Sequence, residues 1–137
     1  MGFMKLENKV AVITGGASGL GRATAEKVIA AGGKVAIFDL NEQLANATAE
    51  ALGPSAKAFA VNVSDEESVK AAIAGTLEAF GAIHINVNCA GVGAAARTLG
   101  RDGAMPLATF NFVLGVNLIG TFNVLRLCAE AMAKNNP

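Results

Sequence analysis

The sequence predicts a doubly wound α/β fold, a parallel sheet covered by helices on both faces. Short apolar runs alternate with longer stretches rich in Ala, Glu and Lys, and a helix-stopping Gly or Pro precedes each new run. Three βα units in succession need crossover connections, and crossovers within one sheet make its strands parallel with a right-handed path. The 137 residues, 53% hydrophobic and 16% charged, suit one packed domain that needs neither a metal nor a disulfide.

Element by element, Lys9-Val10-Ala11-Val12-Ile13-Thr14 reads as the first strand, and a helix over Leu20 to Ala31 follows a glycine cluster. Lys34 to Asp39 is the second strand. Glu42 to Leu52 is a helix that Gly53-Pro54 stops, and Ala56 to Val63 is the third strand. Ser64-Asp65-Glu66-Glu67 reads as a capping box, with Ser64 at the N-cap and Glu67 at N3, opening a helix that Gly81 closes. Ile83-His84-Ile85-Asn86-Val87 is the fourth strand. Gly91 to Met105 lacks periodicity and is expected to be a long loop. Pro106 suits the first turn of a helix reaching about Lys134, with Gly115 and Gly120 as its weak points. Its apolar residues occupy more than one face, so it is expected to be buried on both sides: against its own sheet, and against a second copy of the chain in a homo-oligomer.

Charge and composition narrow the function classes. Eleven basic residues balance eleven acidic ones without a run of like charges, which disfavours nucleic acid and an anionic membrane as partners. No consecutive apolar run approaches the roughly 18 residues of a membrane span. The start, Met1-Gly2-Phe3-Met4-Lys5-Leu6, lacks a signal-peptide core and puts Leu6 where myristoylation wants Ser or Thr. Cys89 and Cys128 show no metal-ligand spacing, so no metal site and a reducing cytoplasm are expected. His84, alternating with apolar neighbours, reads as a structural side chain, and Cys128 as helix packing. Asp65, Glu66 and Glu67 read as helix-dipole stabilisers, Arg97 and Arg101 as solvated loop residues.

Chemistry concentrates after the first strand. In Thr14-Gly15-Gly16-Ala17-Ser18-Gly19-Leu20-Gly21, glycines permit positive φ and close backbone approach, and the helix behind offers unpaired N–H groups to a pyrophosphate. Asp39 ends the second strand, the usual place for an acceptor of ribose hydroxyls, and the combination points to a Rossmann-type dinucleotide site. A carboxylate there repels a 2′-phosphate, and neither Ser18 nor Leu40 is a cation, so NAD is favoured over NADP. Capping of the following helix is better assigned to Asn41.

With those residues in view, the sequence resembles the short-chain dehydrogenase/reductase family. Thr14-Gly15 to Gly21 matches its TGxxxGxG, Asn88-Cys89-Ala90-Gly91 its NNAG with Cys for the second Asn, and Asn117 in Val116-Asn117-Leu118 the Asn of its catalytic tetrad. Ala11 to Gly21, Val87 to Gly91 and Val116 to Val124 make it most similar to the type 2 3-hydroxyacyl-CoA dehydrogenases. The resemblance implies that Ser18 and Leu20 contact pyrophosphate and ribose, Asp39 the adenosine ribose, and Asn62 and Val63 the adenine. Cys89, Ala90 and Gly91 would form the nicotinamide-side floor. Asn62 stands where Asp is more usual. The main-chain carbonyl of Asn117 would hold a water of a proton relay.

The family's chemistry also implies a Ser and a YxxxK element beyond the Asn-bearing helix, and the chain contains no tyrosine. Residues 1–137 are therefore expected to be a single NAD-binding domain, incomplete at the C-terminus, its sheet truncated to about four strands in the order 3-2-1-4 with the fourth as an edge. The resemblance implies the N-terminal part of an NAD-dependent oxidoreductase acting on a secondary alcohol or ketone, with 3-hydroxyacyl-CoA as the substrate its subfamily suggests, and expected to be inactive alone. The alternative is a non-catalytic nucleotide-binding or oligomerisation module.

Overall fold

Val10–Thr14, an apolar run buried at every position, forms strand β1 at the interior of a four-stranded sheet. The computed structural model describes residues 5–136, so Met1 to Met4, the larger part of the stretch on which the signal-peptide reading rests, lie outside the described residues. Helix α1 (Gly19–Ala30), β2 (Lys34–Asp39), α2 (Glu42–Leu52), β3 (Ala56–Ala60), α3 (Glu66–Phe80) and β4 (Ile85–Asn88) follow in turn. The strands are parallel in the order β3-β2-β1-β4, the expected topology, with β4 at an edge. A two-residue antiparallel pair, β5 (Leu99–Gly100) and β6 (Gly103–Ala104), leads to α4 (Leu107–Leu114), a π-helical segment (Gly115–Gly120) and α5 (Thr121–Met132).

Strand alternation sorts the core into two layers. Ala11, Ile13, Val35 and Ile37 meet Ala25 and Val28 of α1 and Ala45 of α2. Val12, Ala36 and Phe38 meet Val69 and Ile73 of α3 and Val124, Leu127 and Cys128 of α5. Both faces of β1 and β2 are thus apolar, as a doubly covered parallel sheet requires. Cys128 is the expected packing residue, and burial pushes its thiol up to about 12. Across this layer Arg126 of α5 reaches Glu66 at 3.1 Å and Asn123 Oδ1 at 2.8 Å. Hydrogen bonds from Lys70 and then Arg126 hold the Glu66 carboxyl below its ordinary value.

Several boundaries differ from expectation. The third strand ends at Ala60, not Val63, because Asn62 Oδ1 accepts from Ser64 N–H at 3.0 Å and turns the chain. No Ser64–Glu67 capping box forms: Asp65 is the N-cap of α3, accepting from Ser68 N–H at 2.8 Å, while the Ser64 hydroxyl donates to Gly115 O at 2.9 Å. The fourth strand occupies Ile85–Asn88, two residues after Ile83, since His84 engages Val10 through its ring. Asn41 caps α2 as expected, accepting from Leu44 N–H at 3.0 Å.

The long helix departs most. Gly115 and Gly120 do not merely weaken it; they bound the π segment. One face is buried, whereas Leu107, Phe110, Leu114, Leu118, Phe122 and Leu125 are exposed, so the expected burial on both sides is met on one. By length and composition alone Leu107–Met132 is apolar enough to cross a bilayer, with a mean hydropathy of 1.6, a test that the core helix of a soluble protein also passes. No consecutive apolar run reaches that length, because Asn111, Asn117 and Asn123 interrupt a stretch whose average stays high. In this fold the inner face of that helix is a core layer.

His84 is structural, as read: Nδ1 accepts from Val10 N–H at 3.0 Å, and His84 N–H donates to Val10 O at 2.9 Å. Burial, then the charge of Lys9, holds its pKa below the ordinary 6.5. A proton on Nδ1 removes the acceptor, so between the folded value and 6.5 the unfolded chain binds more protons, and stability rises with pH. His84's contribution is complete above its ordinary value and is lost as pH falls below it. Urea unfolding at pH 7.5 and 5.5 is expected to show a lower midpoint at the acid pH, and His84→Gln is expected to narrow that gap; an unchanged gap refutes the assignment.

Candidate functional site

At the carboxyl ends of the strands, the loops after β1, β2, β3 and β4 and the start of the π segment enclose a cleft of about 680 Å³. This is where parallel α/β sheets leave a crevice, because adjacent crossovers depart to opposite faces. Gly15, Ser18, Gly19, Leu20, Gly21, Asp39, Asn62, Val63, Cys89, Ala90 and Gly91 all line it, which brings together every expected cofactor-binding residue except Asn88.

The glycine turn is shaped by close backbone approach. Gly15 has φ +60°, and a Cβ there would stand 2.9 Å from Ala90 N. A Cβ on Gly21 would collide with the carbonyl oxygen of Gly15. Behind the turn, Ser18 is the N-cap of α1 in an extended conformation, its side chain makes no cap bond, and no acid occupies the first turn. The first-turn N–H groups therefore face the cleft's mouth without a side-chain acceptor, with the positive end of the helix dipole behind them.

Asp39 enters from the end of β2. Its Oδ2 accepts from Ala17 N–H at 3.1 Å and its Oδ1 from Asn41 N–H at 3.0 Å, which orients the carboxylate beside the glycine turn. It is the only charged side chain among the described residues lining the cleft. The site therefore meets anions with backbone dipoles rather than with cations.

The floor hangs on Thr14, a buried residue at the end of β1. Its Oγ1 accepts from Cys89 N–H at 3.1 Å and from Ala90 N–H at 3.0 Å, binding the exit of β4 to the exit of β1. Asn117 secures the next residues: Val92 N–H donates to its Oδ1 at 2.8 Å, and its Nδ2 donates to Val92 O at 2.9 Å. Gly91 lies close, since a Cβ on it would stand 3.3 Å from Asn117 Oδ1. The Asn117 main-chain carbonyl accepts from the Thr121 hydroxyl at 2.7 Å.

Asn117 and Asn88 both stand behind the cleft lining. Asn88 Nδ2 donates to Asn86 Oδ1 at 2.8 Å, Asn86 Nδ2 donates to Val12 O at 3.4 Å, and Asn88 Oδ1 is buried with no partner among the described residues. Sequence reading missed Phe38, Leu40, Val61, Ser64, Val92, Phe112, Gly115 and Val116 as lining residues. The last three come from a helix separated from the motifs by a long loop. Their sole sequence signal is helical spacing, which says which residues share a face but not what that face meets.

Comparison with known proteins agrees with this geometry. A family model described as short chain dehydrogenase matches residues 9–137. The chain is 44% identical over 130 residues to 3-hydroxyacyl-CoA dehydrogenase type-2 of Bos taurus, an alignment covering 93% of this chain and 50% of that protein. Two solved structures superpose on it. The 3-ketoacyl-(acyl-carrier-protein) reductase from Brucella melitensis complexed with NADH has a TM-score of 0.84 and 35% identity, over 92% of this chain and 51% of that one. A short chain dehydrogenase/reductase from Burkholderia phymatum in complex with NAD has a TM-score of 0.86 and 34% identity, over 95% and 46%. The chain spans about half the length of the curated relatives it matches.

Thr14→Val removes the acceptor that Ala90 N–H uses and leaves a part-buried donor unpaired, at a cost of about 1–3 kcal/mol. Denaturant unfolding is expected to show that loss for Thr14→Val and much less for Thr14→Ser, which keeps the hydroxyl. Equal losses in the two variants contradict the role given to Oγ1.

Proposed function

This chain belongs to the short chain dehydrogenase family of oxidoreductases, and we propose that its residues are the NAD-holding part of an enzyme that interconverts a secondary alcohol and a ketone. The observation that carries the reading is the glycine turn delivering an uncapped α1 N-terminus into a cleft whose single charged side chain is Asp39. A pyrophosphate fits the first-turn N–H groups, and the space that a Cβ at Gly15 or Gly21 would fill is kept clear. Asp39 would accept hydroxyls of the adenosine ribose, Asn62 and Val63 would flank the adenine, and Cys89, Ala90 and Gly91 would lie under the nicotinamide ribose. With no cation in the cleft lining to receive a 2′-phosphate, NAD is favoured over NADP.

Such a cofactor supplies hydride transfer between its nicotinamide ring and the carbinol carbon of the substrate. Asn117 would act in two ways, steadying the backbone of Val92 with its side-chain amide while its main-chain carbonyl would hold a water of a proton relay. Identity to 3-hydroxyacyl-CoA dehydrogenase type-2 supports a 3-hydroxyacyl-CoA as substrate. The 137 residues contain no tyrosine to serve as the general acid, so we expect cofactor binding from them without turnover. Unpaired Cys89 and Cys128 support a reducing, cytoplasmic setting.

Calorimetric titration tests the reading. NADH is expected to bind more tightly than NADPH, and Asp39→Ala is expected to weaken NADH at least tenfold while narrowing the gap between the two. Equal NADH affinity in wild type and Asp39→Ala, or NAD reduction by the chain with a 3-hydroxyacyl-CoA, overturns the corresponding half of the proposal.

A second reading, association, is favoured by the outer face of α4 and α5. Leu107, Phe110, Leu114, Leu118, Phe122 and Leu125 lie exposed there, and no charged residue occurs between Pro106 and Leu125. The occupant we propose is a second copy of this chain, packed helix on helix. Sedimentation is expected to give a concentration-dependent dimer that Leu118→Lys with Phe122→Glu returns to monomer; a monomeric wild type at all concentrations rejects it.

A further inference from the structure

Two aromatic rings line the cleft, and they differ in what they touch. Phe38 is fully buried, edge-on to Phe59 with ring centroids 5.7 Å apart. Phe112 of α4 lines the same cleft and is 56% exposed. Its place follows from two hydrogen bonds. Gly115, three residues on and therefore on the same helix face, accepts from the Ser64 hydroxyl at 2.9 Å, and Ser64 N–H donates to Asn62 Oδ1 at 3.0 Å. Phe112 thus stands at the end of the cleft where β3 gives way to Asn62 and Ser64, whereas Asn117 engages Val92 at the floor. At the same end Asn62 keeps its Nδ2 as a donor, and Leu40 is 76% exposed.

An exposed aromatic face beside an amide donor suits a flat heteroaromatic ring with acceptor nitrogens, because stacking satisfies the ring's faces and the amide one edge. We propose that Phe112 is a binding residue for the adenine ring, which stacks on it with Asn62 at its edge. The proposal rests on the NAD reading above and adds to it a residue that none of the glycine, Asp39 or Asn88-Cys89-Ala90-Gly91 motifs contains.

The test is calorimetric titration of the 137-residue chain with NADH, with ADP-ribose and with reduced nicotinamide mononucleotide, which has no adenine. Phe112→Ala is expected to weaken NADH and ADP-ribose about tenfold and to leave the mononucleotide unchanged. Phe112→Leu, which keeps apolar bulk without a π face, is expected to follow the alanine variant, and Phe112→Trp to retain wild-type affinity. Because the side chain is exposed, all three are expected to unfold at the wild-type denaturant midpoint. Undiminished NADH affinity in Phe112→Ala while Asp39→Ala is weakened overturns the role of Phe112 alone. Equal losses for NADH and the mononucleotide also overturn it, by showing a general disturbance of the cleft. A wild-type chain that binds no NADH overturns the cofactor reading and this proposal with it.

Discussion

The close approach of Gly21 to the carbonyl of Gly15 governs where everything else can stand. Any side chain at Gly21 would collide with that oxygen, so α1 starts within one turn of the end of β1 only because neither residue carries a Cβ. That contact aims the first-turn N–H groups of α1 across the sheet's carboxyl edge. It also brings Ala17 N–H to the Asp39 carboxylate, tying the first βα turn to the end of β2. Gly15 in turn lies against Ala90, so the same turn sets the height of the floor that Thr14 secures. One backbone-on-backbone contact thereby fixes three sides of the cleft.

Much of this was legible in the amino-acid sequence because it is local. A glycine that must adopt positive φ, a strand apolar at every position and an acid at a strand end each announce themselves within a few residues, and the βα alternation then dictates strand order through crossover chirality. Asn41 as the cap of α2 and Cys128 as a packing residue were readable for the same reason. The capping box was misread because Ser64 and Asp65 both suit an N-cap. The choice between them depended on Gly115, a residue 51 positions away that offers the Ser64 hydroxyl a better partner. No local rule holds that information.

The far wall of the cleft was illegible on the same physical ground. Phe112, Gly115 and Val116 reach it from a helix whose position is set by the packing of Val124, Leu127 and Cys128 onto Val12 and Phe38, contacts that skip across the chain. Asn117 was found through a family pattern, but that pattern says nothing of its bidentate grip on the backbone of Val92, which resembles one rung of a β-ladder made by a side chain. Polar side chains that substitute for backbone partners are hard to foresee, because their value lies in a neighbour that only the finished fold supplies.

The π segment between Gly115 and Gly120 acts as a phase shifter. A wider turn accommodates residues that an α-helix would carry further round its axis, and each residue of an α-helix advances by about 100°. Narrowed to an α turn without losing a residue, this segment would carry α5 round its axis, swinging Val124 and Leu127 off the sheet and bringing the exposed Leu125 face inward, whereas deleting one residue as the turn narrows would keep them in place. A change that narrows the turn and keeps its residues therefore changes the azimuth of the twelve residues of α5. The extra residue held in the wide turn is what keeps both halves of the helix in phase with the sheet.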